Sequence, residues 1–149
     1  MTNTGRRITQ FTLSEALSAV AVLAVIIAIA IPMWHTHQLR ERRHGAMDAL
    51  RAVQTAQDEY FGNHARYGDE TQLRASAPKV LPDAAARAGH YRLAVSKSAD
   101  DLTYTAIARA IPREGEAADT RCMELRIDQN GRKFAVDAEG VDRSADCWR

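Results

Sequence analysis

An uninterrupted apolar run near the start of the chain constrains it more than any other feature. Between Glu15 and His35 there is no charged residue, and the intervening ALSAVAVLAVIIAIAIPMW is almost wholly hydrophobic. About twenty residues at 1.5 Å rise each span the roughly 30 Å hydrocarbon layer as a helix. A buried helix of a soluble protein can be equally apolar, but a chain of 149 residues leaves little to cover it on all sides. The run is therefore expected to cross a membrane. Arg6 and Arg7 precede it, so by the positive-inside rule the N-terminus stays cytoplasmic and the remainder is exported. An ordinary signal peptide has a shorter apolar stretch ending in a small-residue cleavage site, whereas here polarity resumes only at His35 and the continuation reads as helix.

From Leu39 to Phe61 the pattern becomes amphipathic, with Met47, Leu50, Val53, Ala56, Tyr60 and Phe61 recurring every three or four residues among charged neighbours. Only Pro32 separates this segment from the apolar run, and a lone proline kinks a helix more readily than it ends one. One long helix is expected, stopping near Gly62 and Asn63. Residues 65–89 hold no sustained period and carry Pro78 and Pro82, so an irregular connection is expected, with one short helical turn after Asp83. Beyond it the period is two: Tyr91, Leu93 and Val95; then LTYTAIARAI; then Met123, Leu125 and Ile127; then Phe134 and Val136. Gln129, Asn130, Gly131 and Arg132 predict a tight turn, because Asn-Gly takes the positive φ angles of a two-residue hairpin. Four strands with short links give an antiparallel sheet, one face of which packs on the amphipathic helix: an α+β fold.

The formal net charge is +1, which creates no global field for nucleic acid; any such binding requires a local patch. Arg40, Arg42 and Arg43 suit anionic lipid headgroups or an acidic partner, and equally suit a solvated helix face. The two cysteines, Cys122 and Cys147, are too few for an all-cysteine zinc site. They form either two free thiols or a disulfide; in an oxidising exterior the latter closes a loop of about two dozen residues and contributes about 3 kcal/mol. His35 and His37 are two apart and point to different sides of a helix, so no metal is expected. Asp100 with Asp101 reads as turn chemistry. There is no phosphate loop, nucleophile elbow or metalloprotease motif, and neither a catalytic activity nor a cofactor is expected.

The segment FTLSEALSAVAVLAVIIAIAIP, Phe11 to Pro32, resembles the N-terminal signature of type IV pilins and related pseudopilins through Phe11, Thr12, Leu13, Glu15 and Pro32. RERRHGAMDAL followed by DEYFGNHARYG is similar to the exposed helix and following turn of PilE-like minor pilins. RCMELRIDQNGRK, ending in DCWR, is similar to their last hairpin and C-terminal disulfide loop. The resemblance covers most of the chain, leaving Thr71 to Gly89 and Ile111 to Ala118 without counterparts.

This resemblance implies a leader over residues 1–10, a membrane and filament-core segment over 11–34, and a globular unit over 35–149 that includes the second half of the helix. It implies cleavage by a prepilin peptidase between Gln10 and Phe11, methylation of the new amine, and assembly through Glu15 and Pro32. It also implies a disulfide between Cys122 and Cys147. The methylated amine would lie near the equivalent glutamate of a neighbouring subunit. That pairing has a physical reason, since a carboxylate at the edge of an apolar helix costs about 3 kcal/mol in lipid and such residues usually mark a functional partner; a glutamate hydrated among headgroups is the alternative. The implied partners are other pilin subunits, the peptidase, the inner-membrane assembly machinery and lipid. The implied location is the inner membrane, then the extracellular pilus.

Two positions depart from the family pattern. Gln10 stands where glycine precedes the cleavage point, and its side chain is expected to slow the peptidase. Ala24 replaces a helix-weakening glycine, which keeps the apolar segment more helical by about 1 kcal/mol. The expected role is that of a minor pilin serving adhesion, twitching motility or DNA uptake. Two other roles remain open: a secretion pseudopilin, against which the paired cysteines count, and an unprocessed membrane-tethered binding module, for instance for extracellular DNA.

Overall fold

A computed structural model describes residues 13–112 and 118–149. Gln10 and Phe11, with the expected leader, lie outside the described residues. The elements in order are α1 (Leu13–His64), α2 (Glu70–Ser76), α3 (Val80–Ala88), β1 (Tyr91–Lys97), β2 (Tyr104–Ala110), β3 (Glu124–Asp128), β4 (Lys133–Val136) and α4 (Ser144–Cys147). The chain divides into two compact units, one ending at His37 and one running from Gln38 to Arg149.

In the first unit the large apolar side chains of α1 have nothing over them. Their exposure runs from 47% at Ile27 to 80% at Leu13. Helical hydrogen bonding satisfies the backbone internally, which is the condition for sitting in lipid, and the helix is long and apolar enough to cross a membrane. It continues through position 32 without interruption.

In the second unit the rest of α1 supplies one wall of the core. Ala46, Met47, Ala49, Leu50, Val53, Ala56 and Tyr60 are buried, the three- and four-residue spacing that places side chains on one helical face. Phe61, expected on that face, is instead 36% exposed and packs its ring 4.7 Å from that of Tyr67. The helix also runs past Gly62 and leaves its course at Ala65, which takes a φ of +54°. The exit is fixed from outside the helix. The buried Gln57 amide brackets Gly68, donating to its carbonyl at 2.7 Å and accepting from its N–H at 2.9 Å. A Cβ on Gly68 would lie 3.2 Å from the Tyr60 ring. The helix thus ends within one residue of the Gly62–Asn63 signal, and these tertiary contacts fix the turn that follows.

The connection expected to be irregular holds two helices. Asp69 caps α2 through a reciprocal capping box, its carboxylate accepting from the Gln72 N–H while the Gln72 side chain accepts from the Asp69 N–H. Pro82 falls in the first turn of α3, where its missing N–H costs no helical bond. Leu73 from α2, with Leu81, Ala84 and Ala88 from α3, enters the core. The short lengths of these helices hide their periodicity from a sequence window.

The sheet is an antiparallel meander in the order β1-β2-β3-β4. Its inner face presents Tyr91, Tyr104, Ala106, Ala108, Ala110, Leu125, Ile127 and Ala135 to one hydrophobic cluster shared with α1. The face of β4 differs from expectation: Ala135 is 2% exposed while Phe134 is 45% exposed. Ala135 pairs with the inward Leu125, so the pleat turns Phe134 outward beside Arg126. The β3–β4 turn also differs. Only Gly131 has positive φ, at +72°, and its N–H donates to the Asp128 carbonyl at 2.9 Å. The Asp128 carboxylate accepts from the N–H groups of Asn130 (2.9 Å) and Arg132 (2.8 Å), which favours a turn one residue longer than the two-residue hairpin, with glycine in the left-handed position.

Candidate functional site

Two places in the molecule carry the residues singled out by the sequence. The first is the opening of α1. Glu15 lies in the first helical turn, where a carboxylate interacts favourably with the helix dipole. Glu15, Ser18, Ala19, Val22, Leu23 and Ile26 line one shallow groove along a single helical face. Four of the six are apolar, Ser18 and Ala19 are small, and Glu15 lies at the N-terminal end. Such a stripe lets a second helix approach closely while offering one point of charge. Pro32 belongs to the same helix, further along the segment.

The second place is the C-terminal loop. Cys122 and Cys147 are joined, with an S–S distance of 2.01 Å, and both are buried. The bond encloses the β3–β4 hairpin and α4. Three polar contacts brace it: Arg121 with Asp146 at 3.2 Å, the Ala135 N–H to the Ser144 hydroxyl at 2.9 Å, and the Trp148 ring N–H to the Phe134 carbonyl at 2.9 Å.

Beside the disulfide lies a polar node that the sequence did not reveal. Arg43, read only as part of a basic cluster, is directed inward and meets Asp119 in a two-pronged pair, Nε to Oδ2 at 2.5 Å and Nη2 to Oδ1 at 3.0 Å. The Asp119 side chain is 3% exposed and that of Arg43 14%. Asp119 also accepts from the Cys122 N–H at 3.1 Å, and the Tyr91 hydroxyl lies 3.1 Å from both the Asp119 carboxylate and the Cys122 carbonyl. Burial alone would push the Asp119 carboxyl up. The Arg43 guanidinium, the Cys122 N–H and Tyr91 outweigh it and hold the group below the usual carboxylate range. Burial, reinforced by the Asp119 charge, raises the Tyr91 hydroxyl well above its ordinary value, so it remains a donor. One carboxylate thus ties α1, β1 and the disulfide loop together. Arg43 and Asp119 are 76 residues apart, so no local signal could have paired them.

Arg40 is exposed, and Arg42 reaches Gln38 at 3.4 Å, so the basic cluster does not act as one patch. Asp100 accepts from Ser98 and from the Leu102 N–H in the β1–β2 turn, the role its neighbourhood predicted. Among the described residues no group of three or more His, Cys, Asp or Glu is placed to hold a metal ion.

Residues 32–126 match the family model of the type IV minor pilin ComP, a DNA uptake sequence receptor. The type IV major pilin protein PilA of Myxococcus xanthus (strain DK1622) is 34% identical over 127 residues, which is 85% of this chain and 53% of that protein. The chain therefore spans about half the length of this curated relative. A solved type IV pilin from Shewanella oneidensis superposes with a TM-score of 0.43 at 18% identity, covering 63% of this chain and 89% of that one.

Proposed function

The chain belongs to the type IV minor pilin family, and from that premise we propose that it is a structural subunit of a type IV pilus, held in the inner membrane by α1 and then packed into the filament core. The observation that carries this reading is the bare apolar half of α1, whose large side chains are all about half exposed or more in the isolated chain. Burying one such side chain is worth about 1.5–3 kcal/mol, so lipid or neighbouring helices must cover the segment. The role is architectural. The partners are other pilin subunits, the prepilin peptidase and the membrane-embedded assembly machinery, with the globular unit on the periplasmic side before assembly. Sheared surface filaments should contain the protein, detected by mass spectrometry; its complete retention in the membrane fraction of piliated cells would overturn the filament role.

Processing between Gln10 and Phe11 is part of this proposal, with residues 1–10 as the leader. Glutamine carries a side chain into a cleft that usually receives glycine. Gln10→Gly is therefore expected to speed leader removal when the protein is co-expressed with a prepilin peptidase. Equal rates would show that the cleft tolerates Gln10. An unshortened N-terminus in the native protein would favour a permanent membrane anchor.

A second reading follows from the family match itself, whose description is that of a DNA uptake sequence receptor. On this reading the globular unit contacts DNA. With a formal net charge of +1 for the whole chain, that contact needs a local basic surface.

A further inference from the structure

We propose that the outer face of the sheet, at Arg92, Arg109 and Arg126, binds the phosphodiester backbone of duplex DNA; the proposal rests on the DNA-contact reading above. Arg92 of β1 pairs directly with Arg109 of β2, and Arg109 pairs with Glu124 of β3, so the three side chains share one row on one face. Arg126 stands on the same face, two residues along β3. Glu124 already engages Arg109 across the strands, whereas no salt bridge among the described residues engages Arg92, which stands directly opposite Arg109. An external anion would give Arg92 the partner it lacks.

Glu124 prepares the other two arginines for that role. Its side chain is 5% exposed and accepts from Arg109 and from Arg126, whose own side chains remain 64% and 46% exposed. Burial raises the Glu124 carboxyl, but the two guanidiniums outweigh this and keep it ionised. Arg126 reaches Glu124 through Nε. Both guanidiniums are thus held in place on side chains that stay about half exposed or more, which lowers the ordering cost of binding an anion. The other carboxylate on this face, Asp128, is occupied by the turn N–H groups of Asn130 and Arg132. The remaining outer positions, Ala94, Ser96, Thr105, Ile107, Phe134 and Val136, carry no charge.

Charge and spacing select the ligand. From Arg92 on β1 to Arg126 on β3, two strands across and two residues along, the backbone span is about 12 Å, which is wide for one phosphate and suits successive phosphates of a polymer. The contact reads the backbone and not the bases, so the surface adds affinity without sequence preference.

The test uses the full chain in detergent micelles, titrated against a labelled 20-base-pair duplex at several salt concentrations. Arg92→Gln is the informative variant, because removing Arg92 leaves no buried partner exposed. It should weaken binding about three- to tenfold, equally on a scrambled duplex, and flatten the slope of log affinity against log salt by about one. Arg92→Glu should weaken it further, while Lys79→Gln, a charge removal on the α2–α3 connection, should bind as wild type does. Wild-type affinity and slope in both Arg92 variants would overturn this surface while leaving the DNA reading intact. An equal loss in Lys79→Gln would also overturn it, as a diffuse charge effect. No binding by the wild type at low salt would overturn the surface and the DNA reading together.

Discussion

Asp119→Ala should destabilise the globular unit by about 3–5 kcal/mol. The reason lies in what is left behind. Arg43, 14% exposed, would keep its charge in a nearly closed site with no carboxylate, and the Cys122 N–H and Tyr91 hydroxyl would each lose an acceptor. Adding Arg43→Met should recover a large part of the loss, because an apolar side chain in that position no longer strands a charge. Asp119→Asn, which retains a carbonyl for the Cys122 N–H, should fall between Asp119→Ala and wild type. Urea denaturation in detergent, read at Trp148 in a Trp34→Phe background, measures all three.

The pH dependence has a definite sign. The folded Asp119 carboxyl titrates below its unfolded value, so its contribution is complete above about pH 4 and is lost as pH falls through the folded value. The gap between wild type and Asp119→Ala should therefore be constant at neutral pH and close in acid. A loss under about 1 kcal/mol, of the size seen for exposed ion pairs, would show that water reaches the node.

Glu15→Ala should abolish or strongly reduce recruitment into filaments while leaving membrane insertion and the Cys122–Cys147 bond intact. Glu15 sits in the unit ending at His37, whereas both cysteines and the whole sheet belong to the unit from Gln38 onward. Folding of the globular unit and assembly of the helix are therefore separable. If the carboxylate neutralises the N-terminal amine of a neighbouring subunit, the pairing has to exceed the desolvation of both charges, which happens only where they meet closely in a packed helical core. A difference of only about 1.4 kcal/mol in that pairing changes occupancy tenfold. Glu15→Gln, nearly isosteric but neutral, should fail similarly. Filament fractions holding either variant at wild-type levels, with normal total expression, would show that Glu15 is merely tolerated at the membrane edge.

Several parts of the molecule were written in short-range sequence pattern. The charge-free interval from Ala16 to Trp34 dictates a helix, because in lipid every backbone N–H and C=O must be bonded within the segment. The three- and four-residue recurrence of Met47, Leu50, Val53, Ala56 and Tyr60 dictates which side of α1 is buried, and period two marks the four strands. These are local signals with local causes. The capping box of α2 was also present, Asp69 with Gln72, but was masked by the prolines on its far side.

What the sequence alone determined is thus the kind of each long element and the need for an apolar partner along residues 13–34. The tertiary structure decided the rest. It fixed the turn after α1 through the Gln57 and Tyr60 contacts with Gly68, and turned Ala135 inward in place of Phe134 by pairing it with Leu125. It drew Arg43 out of a seemingly solvated cluster to meet Asp119, and aligned Arg92, Arg109 and Glu124 in one row. The physical reason is common to all four. Each is set by a contact that reaches beyond a single element, from 11 residues for Gln57 with Gly68 to 76 for Arg43 with Asp119, or by the register of two strands, and its energy appears only when that partner arrives.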